Sequence, residues 1–400
     1  MQQAFIYDAI RTPRGKAKKD GALHALHPFD LLKGLYVALE ERAGLDPALL
    51  GEVVLGCATQ FGEQAGNIAK SSTLYTGWPS QISGLTISRF CSSGLDAVSL
   101  AALKVMSGQE QAMVGGGIEM MSRVPMMSDQ PAIFTDPTLA TEAQILHMGS
   151  GADLIASLYG CSRTEVDTIA LQSQRRAAAA RDAGYFSSIV PIHNSMTGQV
   201  VDADECIRPE ATLASLAALP ASFTDLGRAG ADEMQLRAYP QLTDIHHVHT
   251  AGNSPAMADA AALVLIGGEA LSDKLAVRPR GVIKAMATAS DEPLQVLAGC
   301  VAATKKLLAK EGLDVADIDL FEVHEAFAAT IIKLQTDLQI PSEKLNVNGG
   351  VIALGHPLGA TGSIMLGVLL DELERRQLKT GLVATSGATG LGTAMLIERI

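Results

Sequence analysis

Aromatic residues make up only 4% of this 400-residue chain, and there is a single Trp. Apolar residues nevertheless reach 48%, with 38 glycines, a balance that excludes a disordered or fibrous protein and fits a compact α/β enzyme. Cysteine is scarce as well: five residues, scattered, without a C-x-x-C pair. Neither a disulfide framework nor a zinc site is expected, and a reducing compartment is. Basic residues are outnumbered, 31 Lys and Arg against 43 Asp and Glu, for a formal charge of −12. That balance argues against a nucleic-acid surface. No apolar run approaches the roughly 20 residues that span a bilayer. No charged-then-apolar leader precedes the first expected strand, Ala4 to Asp8, and Glu398-Arg399-Ile400 is not a peroxisomal tripeptide, so the cytoplasm is the expected location. Gly115-Gly116-Gly117 lacks the G-x-G-x-x-G spacing of a dinucleotide-binding turn. At this length two or three domains are expected.

Three segments carry reactive side chains at expected strand-to-helix transitions. In Gly349-Gly350-Val351-Ile352-Ala353-Leu354-Gly355-His356-Pro357-Leu358-Gly359, glycines frame one histidine and Pro357 fixes the backbone beside it. A helix is expected from Thr361 to Glu374, so His356 lies between a strand and a helix. In Leu85-Thr86-Ile87-Ser88-Arg89-Phe90-Cys91-Ser92-Ser93-Gly94, Cys91 falls just before a helix running to about Lys104. Unpaired N–H groups and the helix dipole favour a thiolate there, although an inert core cysteine fits the same local pattern. The third segment, Glu322-Val323-His324-Glu325-Ala326-Phe327, follows a strand from Asp319 to Val323. A Cys, a His in a Gly-Pro loop and a His-Glu pair fit one pocket at the strand ends of an alternating α/β fold.

The three segments together resemble the thiolase family, comprising 3-ketoacyl-CoA thiolases and acetyl-CoA acetyltransferases. The similarity runs from Ala9-Ile10-Arg11-Thr12-Pro13 to Ala394-Met395-Leu396-Ile397-Glu398. It implies a duplicated five-layer α-β-α-β-α fold with an inserted loop domain. It further implies that Cys91 takes an acyl group from a CoA thioester and that His356 activates it. With a water held by His324, His356 would bind the thioester oxygen, and backbone amides at Cys91 and near Ala388 would form an oxyanion hole. CoA and acyl-CoA are then substrates, with no permanently bound cofactor. Homodimers or homotetramers are implied too. His324, where many members carry Asn, is similar to the thiolases of β-oxidation complexes, which points to a β-oxidation partner subunit. One position departs from the family. In Ala384-Thr385-Ser386-Gly387-Ala388-Thr389-Gly390, Ser386 stands where the family carries a second catalytic cysteine. A thiol has a pKa of roughly 8.5 and moves protons near neutrality, whereas a serine hydroxyl needs a base to do so.

The resemblance also assigns the CoA contacts. His147 and Met148 match a CoA-contacting segment, Arg208 an arginine near the adenine and phosphates, and Ser215 a serine beside the nucleotide. Ala251 and Ser254 fall in the Thr250-Ala251-Gly252-Asn253-Ser254-Pro255 stretch, where Pro255 replaces a serine of many relatives. Ala326 and Phe327 would line the pantetheine channel. A duplication is visible without the family: Ala43-Gly44-Leu45-Asp46 before a strand at Glu52 parallels Glu311-Gly312-Leu313-Asp314 before Asp319. Likewise Ala112 to Gly117 parallels Leu382 to Gly387. The expected organisation is a first half at 1–118 plus 248–275, an inserted region at 119–247, and a second half at 276–400. Within the insertion, Glu119 to Thr138 reads as loop and Thr164 to Gly184 as a helix. His246, His247 and His249 alternate within an expected strand, with no acidic or cysteine partner at ligand spacing, so no metal is assigned to them.

Overall fold

In the computed structural model, which describes residues 2–194 and 197–400, the short apolar runs of both halves become strands of one hydrogen-bonded sheet. The strand order is Ser83–Ile87, Glu52–Gly56, Ala112–Met120, Ala258–Gly267, Ala4–Arg11, Gly281–Ser290, Leu391–Arg399, Thr380–Ser386, Leu320–Val323. The duplication is explicit in the pairing. Glu52–Gly56 runs parallel to Ala112–Met120, which is antiparallel to Ala258–Gly267. In the other half Leu320–Val323 runs parallel to Thr380–Ser386, which is antiparallel to Leu391–Arg399. The halves join where Ala4 to Ile6 pairs with Ile283 to Gly281.

Strands covered on both faces read as unbroken apolar runs, and Ala112–Met120 and Ala258–Gly267 are buried at every residue. The helices Ser93–Ser107 and Thr361–Arg376 pack together between the halves, in a core containing Leu95, Val98, Met113, Leu366, Leu369 and Val383. Leu31, Leu35 and Leu39 of the helix Pro28–Ala43 cover the outer face of the first half. Val301 and Leu307 of Gly299–Glu311, with Leu334 of Ala328–Leu338, cover that of the second. The result is the expected α-β-α-β-α layering. Local chemistry sets the helix ends: a His27–Asp30 capping box starts Pro28–Ala43 and left-handed Gly44 ends it, while a Ser162–Glu165 box starts Arg163–Asp182.

Three local expectations give way. Val351–Leu354 is one helical turn and not a strand. A short apolar run does not by itself separate the two, and here Ile352 and Leu354 pack into different core clusters while Glu325 accepts the Ile352 N–H. After His324 the helix begins only at Ala328, with Phe327 still extended. Among the described residues, no strand pairs with the segment holding His246, His247 and His249.

The inserted region is fastened to the sheet by a buried ion cluster. Asp204 accepts from both terminal nitrogens of Arg11, at 2.6 and 2.9 Å, and from the Arg14 main chain at 2.8 Å. Burial alone would raise its pKa, but the Arg11 and Arg14 charges outweigh that and hold the carboxylate below its ordinary range. Asp204→Ala would leave two guanidiniums buried and unpaired. It is expected to lower stability by about 3–5 kcal/mol, read from the urea unfolding midpoint.

Candidate active site

Cys91 follows a tight turn at the end of Ser83–Ile87. Phe90 takes φ 49°, a conformation costly for an aromatic residue, and the turn is held by a 2.8 Å bond from Arg89 N–H to Ser93 Oγ and by the Arg89–Asp96 ion pair. The helix starts two residues after Cys91, at Ser93, so the expected placement holds. Its expected electrostatic consequence does not. Burial in apolar surroundings, with the Glu119 charge nearby, pushes the Cys91 thiol up to about 12. The resting group is therefore the thiol.

A second reactive side chain of the same cavity, His356, comes from the second half. Gly355 turns the chain at φ 101°, the His356 N–H donates to Ala256 O at 2.7 Å, and His356 Nδ1 pairs with Thr361 Oγ1 at 2.8 Å. The loop approaches closely because Gly94 and Gly117 have no side chain: a Cβ on either would collide with the Gly359 carbonyl oxygen. Burial, the adjacent His324 ring and Arg14 hold the His356 pKa well below its usual value, so the ring is neutral. The two imidazole centroids lie 4.4 Å apart.

His324 is fixed by its N–H to Ala384 O (2.9 Å) and by its Nδ1 at 3.1 Å from Ser386 O. Its Nε2 is buried without a partner among the described residues, and burial lowers its pKa to about 4. Glu325 turns away and accepts from Ser173 Oγ (2.7 Å) and Ile352 N–H (3.1 Å), a structural cap for the turn before His356. Ser386 also faces elsewhere. Its Oγ accepts the Cys300 N–H at 3.0 Å, at the start of Gly299–Glu311, and the residue is fully buried outside the cavity wall.

Cys91, His324 and His356 line one cavity of about 280 Å³ together with Ala388. His147, Met148, Ser254, Ala326 and Phe327 line it too. Arg208, Ser215 and Ala251 are exposed and lie outside its wall. The Arg208 N–H donates to Gln174 Oε1 at 2.7 Å, and Ser215 forms a capping box with Thr212. Sequence reasoning missed the apolar wall made by Phe90, Met126, Met127, Phe134, Phe223 and Met257. The richness in Met and Pro between Glu119 and Thr138 was its one signal, since Met adapts to irregular apolar surfaces.

The three-histidine segment does have an acidic partner, distant in sequence. Asp153 accepts from His247 Nδ1 (2.8 Å) and His249 Nδ1 (2.7 Å), and His247 Nε2 reaches Asp232 at 3.1 Å. His249 packs edge-on against Phe327, at 5.3 Å between ring centroids, so the cluster supports the cavity wall from behind. Among the described residues no group of His, Cys, Asp and Glu has the geometry of a metal site.

Residues 4–236 match the thiolase N-terminal domain and residues 277–399 the thiolase C-terminal domain. The chain is 36% identical to the 3-oxoadipyl-CoA/3-oxo-5,6-dehydrosuberyl-CoA thiolase of Escherichia coli (strain K12), with 100% of each covered. It is 34% identical to the 3-ketoacyl-CoA thiolase of Colwellia psychrerythraea, again over 100% of both. The crystal structure of human mitochondrial 3-ketoacyl-CoA thiolase superposes with a TM-score of 0.87 at 30% identity, covering 100% of this chain and 99% of that one.

Proposed function

The chain belongs to the thiolase family, and from that premise we propose that it is an acyl-CoA C-acyltransferase acting through an acyl-Cys91 intermediate. It cleaves a 3-ketoacyl-CoA with free CoA into acetyl-CoA and a shortened acyl-CoA, or runs the reverse condensation. One observation carries this reading: a thiol with no charge of its own shares an apolar cavity with two neutral imidazoles from the other half of the chain. His356 takes the thiol proton as sulfur adds to the carbonyl. Backbone amides at Cys91 and near Ala388 receive the developing oxyanion, and such donors contribute about 10²–10³ in rate each.

CoA itself is the substrate, so no resident cofactor or metal is needed. Pantetheine runs past Phe327, Ala326, Met148 and His147. Ser254, whose Oγ is buried and unpartnered in the wall, supplies the hydrogen bond that Pro255 does not. Arg208, Ser215 and Ala251 receive the nucleotide end outside the cavity, where a local arginine offsets the acidic charge of the protein. We assign 1–118 plus 248–275 and 276–400 to the two thiolase halves and 119–247 to the region that covers CoA. We place the enzyme in the cytoplasm as a homodimer or homotetramer, with a role in fatty-acid degradation and a β-oxidation partner subunit. No helix among the described residues is long and apolar enough to cross a membrane.

A second reading is a thiolase-like acyltransferase or thioesterase that acylates Cys91 without making or breaking carbon–carbon bonds. It rests on Ser386, whose hydroxyl is bound to the Cys300 amide. The discriminating experiment mixes the protein with acetoacetyl-CoA and free CoA, and follows loss of the 3-ketoacyl absorbance beside Ser386→Cys. Cleavage by the native chain is expected. Cleavage only by Ser386→Cys would establish the second reading.

A further inference from the structure

Carbon–carbon cleavage leaves an electron pair on the α-carbon of the departing acetyl-CoA, and that carbon must gain a proton. The cavity offers few groups able to supply one. Cys91 is occupied by the acyl chain, and Asp129 sits on the exposed rim. His147 Nδ1 accepts the Gly149 N–H at 3.1 Å, so the neutral ring carries its proton on Nε2 and has no free lone pair. Ser386 and Cys300 bond to each other off the cavity wall, and burial pushes the Cys300 thiol up to about 11. His324 differs from all of these. Its Nδ1 faces a carbonyl oxygen, which only accepts, so the hydrogen sits on Nδ1 and the unpartnered Nε2 carries a lone pair in the cavity.

Building on the thiolase reading, we propose that His324 Nε2 is the acid and base at the α-carbon, the task that no side chain at position 386 performs in this chain. In the cleavage direction the Cys91 proton passes to His356 while sulfur bonds to the 3-keto carbon. The carbon–carbon bond then breaks, with its electron pair going to the α-carbon. The proton crosses from His356 to His324, whose ring centroid is 4.4 Å away, and His324 delivers it to that carbon. One proton moves from sulfur to carbon, and no redox partner enters. In condensation His324 Nε2 removes the α-proton and the steps reverse. Burial makes the His324 imidazolium more acidic than a free one, which suits delivery to a carbanion.

The test is deuterium exchange into the methyl group of acetyl-CoA in D₂O, read by mass spectrometry, beside the intact mass of the protein as the measure of acyl-Cys91. The native protein is expected to acylate and to exchange. His324→Asn is expected to acylate still and to exchange about 10²-fold or more slowly, whereas Ser386→Ala keeps exchange within about tenfold. Exchange retained by an acylating His324→Asn, or lost in an acylating Ser386→Ala, would overturn the assignment. Should His324→Asn not acylate, Ser386→Ala alone decides in the same way. Native protein that acylates without exchange overturns this assignment only, and native protein that never acylates overturns the thiolase reading beneath it.

Discussion

Cys91→Ala is expected to eliminate the acyl-enzyme and to lower thiolysis by about 10⁴-fold or more, the usual scale for loss of a covalent nucleophile. The substitution is sterically mild. Cys91 lies in a turn held by the bonds from Arg89 to Ser93 and Asp96, which do not involve the sulfur. Binding of CoA is therefore expected to persist, and equilibrium dialysis against CoA separates lost chemistry from lost folding. The other four cysteines, Cys57, Cys161, Cys206 and Cys300, are all buried, so none replaces Cys91. A retained mass shift after incubation with acyl-CoA would contradict the assignment of the nucleophile.

His356→Ala has the second largest expected effect, a fall of about 10²–10⁴ in the rate constant for acylation. The thiol is held near pKa 12, so thiolate is rare at neutral pH without a base to receive the proton. In the proposed mechanism the neutral His356 ring, which lines the same cavity, is that base. The loss should appear in single-turnover acylation with little change in the CoA concentration needed, because the proposed pantetheine contacts, Met148, Ala326 and Phe327, do not include His356. Alkylation of Cys91 by iodoacetamide should slow in parallel. Unchanged acylation in His356→Ala would show that another group accepts the thiol proton.

Much of this was legible in the sequence because glycine, proline and the reactive residues have local signatures. Cys91 before a helix and His356 in a Gly-Pro loop were readable, as was the duplication of strand and glycine patterns. The turn at Val351–Leu354 was not, since it depends on Glu325 reaching from another segment to accept the Ile352 N–H. The Cys91 thiol was misjudged for a similar reason. A helix start is a local feature, but desolvation by burial and the charge of Glu119, which comes from a distant segment, dominate. Spacing rules also missed Asp153, which lies on the helix Met148–Leu158 and meets His247 and His249 only in the folded chain. The direction of the Ser386 hydroxyl could not be read from its motif. It is set by the helix Gly299–Glu311, whose Cys300 N–H lies 86 residues earlier.

The most direct test of the account is to mix the purified protein with a 3-ketoacyl-CoA in the absence of free CoA, quench in acid, and map the modified peptide by mass spectrometry. The account predicts one acyl group, two carbons shorter than the ketoacyl chain, on the peptide containing Cys91, with one equivalent of acetyl-CoA released. An unmodified protein, or an adduct on any residue other than Cys91, would contradict it.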